Sequence, residues 1–476
     1  PHASAPFVPA TGLPDATALL QQLKSGSVTV SQLVQQQLNA LSEVQSHLNA
    51  ATAILRDEAL RAAAQPLAGE RQAGALAGLP CSVKETFGLA GMTVTAGSLR
   101  MTPEVHTADA AVVQKLKAAG AIITARSNVP EFAMTGESSN PRYGRTNNPL
   151  DPTRVAGGSS GGEGALVGSG ASVFGMGSDM LGSIRIPAAF CGIVGFKPAS
   201  AAVDKTGTWP KVEGFLDSWL CIGPLTRSVR DARLVYDVIA RTPTPAPREL
   251  SGLRLLRSTR FPFAVQQACI RDALNAAEQH LLAAGLREET PAFADVSALS
   301  FQAPLLILRE LGDIWRALLS RPGDKFNIWR ESWRQWRGTG EIDNGFYRWL
   351  IQDATLAQVV KPHSARQTQQ LVQRFAQAQR HYQSLLGDDG ILLLPTLGMV
   401  APKHGEMNRQ TLKPGVNRHV TPLLFCNYCD LPAISIPAWR YRDPASGLPA
   451  AVMLVCAPGN EGRLLDVAAA LEPVLN

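Results

Sequence analysis

The sequence predicts an α/β fold: a central twisted mixed β-sheet surrounded by helices. Three observations lead there. Short apolar runs rich in β-branched residues alternate with segments whose apolar residues recur at helical spacing, the pattern of βαβ units. The composition is that of an ordinary globular chain, 45% hydrophobic and 18% charged over 476 residues, which excludes a disordered, collagenous or coiled-coil protein. No internal repeat and no linker rich in Pro, Ser or charge divides the chain. One large domain with an inserted helical region is the simplest organisation.

The elements follow in chain order. Residues 1–70 read as an N-terminal helical segment packed on the core. Within 15–65, Ser31 precedes LVQQQLNAL, whose apolar residues keep helical spacing. Residues 71–300 are assigned to the core that carries the chemistry. There LPCSVKE and AIITAR read as strands flanking the helix pattern of DAAVVQKLKAAG. Further on, LRLLRS reads as a strand, and VQQACIRDALNAAEQHLLAAG as the helix after it. Residues 305–385 look helical throughout, and 301–385 is assigned as a Trp-rich insertion or lid. Residues 386–476 return to the core, with strand candidates ILLLPT, PAISIP and AVMLVCAP and a last helix, GRLLDVAAALEP.

Charge and cysteines narrow the function class. The net charge is only +6, and no long Lys/Arg run accompanies it, so nucleic acid is not an expected partner. The seven cysteines are odd in number and scattered. That argues against a disulfide framework and fits a reducing, cytoplasmic compartment. The chain starts at Pro1 rather than Met, which leaves a periplasmic or secreted location open. No apolar stretch reaches the ~18 residues of a membrane span.

The informative stretch is 154–198, RVAGGSSGGEGALVGSGASVFGMGSDMLGSIRIPAAFCGIVGFKP. Such a density of glycine means close backbone approach or positive φ. One use of such a segment is to aim backbone N–H groups at an anion. The phosphate motifs are absent: there is no G-x-x-x-x-G-K-[ST], and no G-x-G-x-x-G with an acidic partner in a strand–turn–helix. The remaining anion is the transient oxyanion of acyl transfer. Ser159, Ser160 and Ser183 offer a nucleophile. There is no G-x-S-x-G elbow, and none of the eight histidines lies in the segment. The base must be something other than His, and a neutral lysine can serve.

These residues resemble the signature of the amidase signature family, whose hydrolases use a Ser–Ser–Lys triad. GLPCSVKETFGLAG is similar to that family's lysine segment. EFAMTGESSNPRYGRTNNPLDP and GPLTRSVRDARLVYDVI resemble later blocks. ILLLPTLGMVAP, CDLPAISIP and GLPAAVMLVCAPGNEGRLLDVAAALE resemble the C-terminal part. In motif detail, notably the Glu of GGEGAL, the chain looks closest to the fatty-acid amide hydrolase branch. Urethane and aryl-acylamide hydrolases belong to the same family.

The resemblance implies the amidase signature fold and roles for particular residues. Ser183 would be the nucleophile, Ser159 the bridging serine after a cis Gly158–Ser159 bond, and Lys84 the base. Backbone N–H groups of Met180, Leu181, Gly182 and Ser183 would hold the oxyanion. Asp179, Arg185, Met134, Thr135 and Ser160 would support the loop or line the substrate. No metal and no cofactor are implied. For Lys84 to act as a base, burial must disfavour its charged form, and the apolar run LPCSVK fits that. One position departs from the family: Leu181-Gly182 stands where Gly-Gly is usual, adding a Cβ beside the oxyanion site.

Two further features complete the reading. Trp329, Trp333 and Trp336 are spaced i, i+4, i+7 and share one helical face. They fit either an apolar entry surface, with membrane contact as a minor version, or a helix packed on the core. Cys426-x-x-Cys429 has redox or zinc spacing without a second pair, so small buried residues is the better reading. The expected substrate is a small hydrophobic amide, anilide or carbamate (urethane), with ester cleavage on the side. A fatty-acid-type amide is favoured by the branch resemblance. The expected assembly is a monomer or homodimer. The alternatives are a glutamine-dependent amidotransferase subunit, against which Glu163 weighs, and a catalytically silent binding or scaffold member.

Overall fold

The structure, a computed structural model, describes residues 12–65, 74–321, 323–355, 364–407 and 417–476. Its strands in chain order are β1 (Ala51–Ile54), β2 (Pro80–Lys84), β3 (Thr93–Val94), β4 (Glu104–Val105), β5 (Ile122–Ser127), β6 (Ser139–Asn140), β7 (Gly144–Arg145), β8 (Gly175–Asp179), β9 (Val194–Lys197), β10 (Cys221–Thr226), β11 (Arg254–Leu256), β12 (Arg287–Glu289), β13 (Gly390–Pro395), β14 (Ala433–Arg442) and β15 (Pro449–Val455). Eleven of them form one sheet in the order β1-β5-β2-β8-β10-β9-β14-β15-β13-β11-β12. The sheet is mixed: β5-β2-β8 and β13-β11-β12 pair in parallel, and the block from β8 through β10, β9, β14 and β15 to β13 is antiparallel. Strands β2, β5, β8, β9, β10, β13 and β15 are buried along their whole length. Helices therefore cover both faces, as a partly parallel sheet requires.

The helices start where side chains satisfy their free N–H groups. The helix Val30–Leu48 begins with a capping box between Thr29 and Gln32, so its cap lies two residues before Ser31. The helix Ala365–Leu386 uses the same device with Ser364 and Gln367. In the N-terminal segment the expected run of helices is interrupted by β1, which pairs with β5 at the sheet edge. The boundary drawn at 70/71 lies outside the described residues.

The inserted region also differs from the reading. Its first helix spans Val296–Leu318, so the boundary at 301 falls inside it. Buried Val296 and Leu299 extend its apolar face upstream. Helices Ile328–Trp336, Asn344–Ala354 and Ala365–Leu386 follow with loops between them rather than continuous helix. Trp329, Trp333 and Trp336 share a face as their spacing predicts, but that face points outward, at 62%, 55% and 83% exposure. The core-packing reading is thereby overturned for all three. The inward side presents buried Glu331, which accepts from the Glu341 N–H at 3.0 Å and from Gln335 Nε2 at 3.2 Å. Trp315 is buried in the core and Trp349 lines a cavity described below.

All seven cysteines are free and buried, Cys426, Cys429 and Cys191 among them. Among the described residues no group of three or more His, Cys, Asp or Glu side chains is placed to hold a metal ion. No described helix is long and apolar enough to cross a membrane.

Candidate active site

The sheet register brings the chemistry together. Strands β2 and β8 run in parallel, with Ser82 opposite Gly175 and Val83 opposite Met176. Lys84 at the end of β2 therefore stands beside the end of β8, which carries Ser178 and Asp179. Two turns meet there, one leading into the helix Gly161–Gly168 and one into Arg185–Cys191. The first carries Ser159 and Ser160, the second Ser183. The Ser160 N–H donates to the Ser183 carbonyl at 3.1 Å and pins the two turns together.

Lys84 is fully buried, and its Nζ lies 2.7 Å from Ser159 Oγ and 2.9 Å from Ser178 Oγ. Burial lowers its pKa to about 7, although Asp179, Glu163 and Glu85 pull the other way. A neutral amine keeps one lone pair. With Ser178 accepting one N–H, that lone pair is free to take the Ser159 proton. The Gly158–Ser159 bond is cis. Ser183 is half-buried at the wall of a cavity, and its hydroxyl has no partner among the described residues. Catalytic contacts often tighten only once substrate is bound.

The loop before Ser183 is built on Asp179. Its Oδ1 accepts from Gly182 N–H at 2.7 Å and Asn427 Nδ2 at 2.9 Å, and its Oδ2 accepts from Ile184 N–H at 3.0 Å. Arg185 grips both oxygens, Nη2 to Oδ1 and Nε to Oδ2, each at 3.0 Å, with both side chains fully buried. Burial opposes the charge on Asp179, but Arg185, Lys197 and Asn427 overcome it and hold the carboxyl well below the usual range.

This corrects one expectation. The Gly182 N–H is occupied by Asp179 and cannot serve an oxyanion. The N–H groups of Met180, Leu181 and Ser183 have no acceptor among the described residues and remain available. Gly182 has φ +107°, which a side chain would resist. Leu181 is not among the residues with positive φ. It tolerates its Cβ there, and its side chain joins the cavity wall.

The cavity above Ser183 measures about 140 Å³. Met134 and Thr135 line this cavity; Ser160 does not, and its hydroxyl donates to the Ser178 carbonyl instead. The walls also include Met180, Leu181, Ile186, Pro304, Ile307, Trp349, Met407 and Leu424, and among the described residues none that lines it is charged. Larger surface hollows lie elsewhere, one of about 830 Å³ around Leu20 and Val30, but none of them contains Ser183.

Sequence reasoning missed several contributors. Glu163 served only as a branch marker, yet it is buried beneath β2, where Ser82 Oγ donates to Glu163 Oε2. Burial pushes it up to about 8, against the Ser82 bond and the charge of Lys84. Ser178 could have been suspected from its place just before Asp179. Asn427, Pro304, Ile307 and Trp349 carry no local signal, because only the tertiary fold brings them here.

The comparisons with known proteins point the same way. The Amidase family model matches residues 32–465. The chain is 32% identical over 410 residues to fatty-acid amide hydrolase 2-B of Danio rerio, covering 82% of this chain and 77% of that protein. It is 30% identical over 474 residues to the 1-carboxybiuret hydrolase subunit AtzE of Pseudomonas sp. (strain ADP), covering 95% and 97%. Its fold is similar to that of a solved fatty acid amide hydrolase, with a TM-score of 0.78 at 20% identity over 97% of this chain and 85% of that one. With the family model matched along nearly its whole length, this chain belongs to the amidase signature family, has that family's α/β fold, and is an amide hydrolase.

Proposed function

We propose that the chain cleaves uncharged, apolar amides, anilides and carbamates through an acyl-enzyme on Ser183. The observation that carries this reading is the apolar wall, uncharged among the described residues, around that serine. A glutamine substrate brings an ammonium and a carboxylate, and a carboxylated urea brings an anion. Either group would find no charged partner among the described residues of the wall, and burying it unpaired costs several kcal/mol (about 2–7 for a neutral polar group, more for a charge). The apolar wall therefore supports neither the amidotransferase reading nor a carboxylated substrate.

The proton path starts at the Lys84–Ser159 contact. Neutral Lys84 takes the Ser159 proton across 2.7 Å, and Ser159 takes the proton of Ser183 as that oxygen attacks the carbonyl. The oxyanion is received by the free N–H groups of Met180, Leu181 and Ser183. The proton returns through Ser159 to the leaving nitrogen, and water then hydrolyses the ester. The same tetrahedral oxyanion forms on an amide, anilide or carbamate carbonyl, so the proton path does not choose among them.

Size separates acyl groups. A cavity of about 140 Å³ has room for about one aromatic ring, since an engineered cavity of ~150 Å³ takes up benzene. This size supports short-acyl and aryl-acyl substrates over the fatty-acid-type amide favoured by the branch resemblance. The test is release of an aniline dye from acetyl, benzoyl and long-acyl anilides and an aryl carbamate, with glutamine alongside and Ser183→Ala as blank. The short and aryl substrates should lead the long-acyl one by about tenfold or more in kcat/KM, and glutamine should be inert. Deamidation of glutamine, or preference for the long chain, would overturn the reading. Trimming the wall with Trp349→Ala should move the optimum toward longer acyl groups, by about tenfold for a few added methylenes.

A further inference from the structure

We propose that Glu131 is a positioning residue that joins the two walls of the acyl cavity and so controls how tightly apolar acyl groups bind. The inference rests on the reading of that cavity as the acyl site. Glu131 is fully buried. Its Oε1 accepts from Ser98 Oγ at 2.6 Å, and its Oε2 accepts from the Asp343 N–H at 2.7 Å, a residue 212 positions away.

Its own chain leads to one wall and the Asp343 bond to the other. On the near side the chain runs from Glu131 into Phe132 and Ala133, non-glycine residues at φ +52° and +53°. Such a conformation is strained for a residue with a side chain and persists only where the surroundings impose it. Ala133, Met134 and Thr135 then line the cavity. On the far side Asp343 caps the helix Asn344–Ala354, its Oδ1 accepting from the Gly345 N–H at 2.7 Å. That helix carries Trp349 into the same cavity. Phe132 packs on Phe346 of the helix with ring centres 5.1 Å apart. One carboxyl thus holds the strained turn and the helix start at a fixed separation. No bond links it to Lys84, Ser159 or Ser183.

Its surroundings are acidic. The charged groups facing it are Asp343 of the helix cap and Glu331 of the helix Ile328–Trp336. The nearby cations are already engaged, Arg334 with Glu331 and Glu341, Arg100 with Asp324 and Glu341, and Arg142 with the Ser98 carbonyl at 2.9 Å. Burial pushes Glu131 up to about 8, its hydrogen bonds resist, and the Asp343 and Glu331 charges add to the rise. Below that pH the group is a neutral acid. Above it a third negative charge enters a dry site between two carboxylates, and the joint loosens.

The test follows KM and kcat for a short-acyl anilide from pH 6 to 9.5 in the wild type, Glu131→Gln and Glu131→Ala. The wild-type KM should rise about fivefold or more above pH 8 while kcat changes by less than about twofold. Glu131→Gln keeps a neutral group of the same shape, so its KM should match the wild type at pH 7 and stay flat. Glu131→Ala should raise KM about tenfold at pH 7, as expected when buried partners lose their acceptor. A wild-type KM without this rise, or a rise that survives in Glu131→Gln, would overturn the proposal. If Glu131→Ala does not fold, the wild type and Glu131→Gln decide between them. The same comparison made by calorimetric binding of the anilide to Ser183→Ala needs no turnover. An enzyme inert on every member of the panel would sink the proposed function and still leave the Glu131 joint to be judged by binding.

Discussion

Replacing Lys84 by methionine should lower kcat/KM for any good anilide by about a thousandfold or more, within the 10²–10⁴ range of a positioned acid–base group. The variant should nevertheless remain folded. In the native enzyme burial holds the Lys84 pKa at about 7, below its unfolded value near 10.4. Between those two values the unfolded chain binds the extra proton, so native stability rises with pH across that window. Methionine removes this dependence. The variant should melt at or above the wild type at pH 7 and gain less between pH 7 and 10. Activity has its own sign: the wild type should gain kcat/KM as pH rises through about 7, where the amine becomes neutral. A pH profile without that acid limb, or a Lys84→Met enzyme within tenfold of the wild type, would end the proposed proton path.

The second large effect is expected at the Asp179–Arg185 pair. Both side chains are fully buried, and breaking such a pair leaves a lone charge without water, at about 3–5 kcal/mol. Asp179→Ala should lose that much stability in urea unfolding. Its activity should fall further than stability explains, because Gly182 and Ile184 lose the acceptor that shapes the loop before Ser183. Removing one donor of an oxyanion site typically costs about 10²–10³ in kcat, and a loosened loop should approach that range. The double change Asp179→Ala with Arg185→Ala should destabilise by less than the sum of the single changes, since no charge is then stranded. Additive losses would mean that the two residues act independently.

The parts of this molecule visible in its sequence are those with strong local patterns. Strands β2, β5 and β13 announce themselves through apolar runs. Strand β10 reads CIGPLT, and its Gly223 and Pro224 look like a turn. Only its place between β8 and β9 makes it a strand. Strand β12 reads REE, with no apolar alternation. The outward Trp face of Ile328–Trp336 misled for a related reason: periodicity shows that residues share a side, not which side is wet. At the site, Lys84, Ser159 and Ser183 came from long motifs, whereas Ser178 and Asn427 act through contacts that no spacing encodes. The Gly182 N–H was misassigned because only geometry shows that Asp179 occupies it.

Gly162 has a wider consequence. A Cβ there would stand 2.4 Å from the Asn128 amide nitrogen and 2.5 Å from the Ala50 carbonyl oxygen. Neither backbone atom can give way, so the frame that carries the serines is closed to drift. Part of the cavity wall comes instead from Pro304, Ile307 and Trp349 on the inserted helices. Heredity can therefore edit this enzyme's diet while its reaction stays untouched. A combinatorial library at those three positions should yield new preferences at a high rate, and one placed in the glycine-rich turns should yield mostly inactive protein.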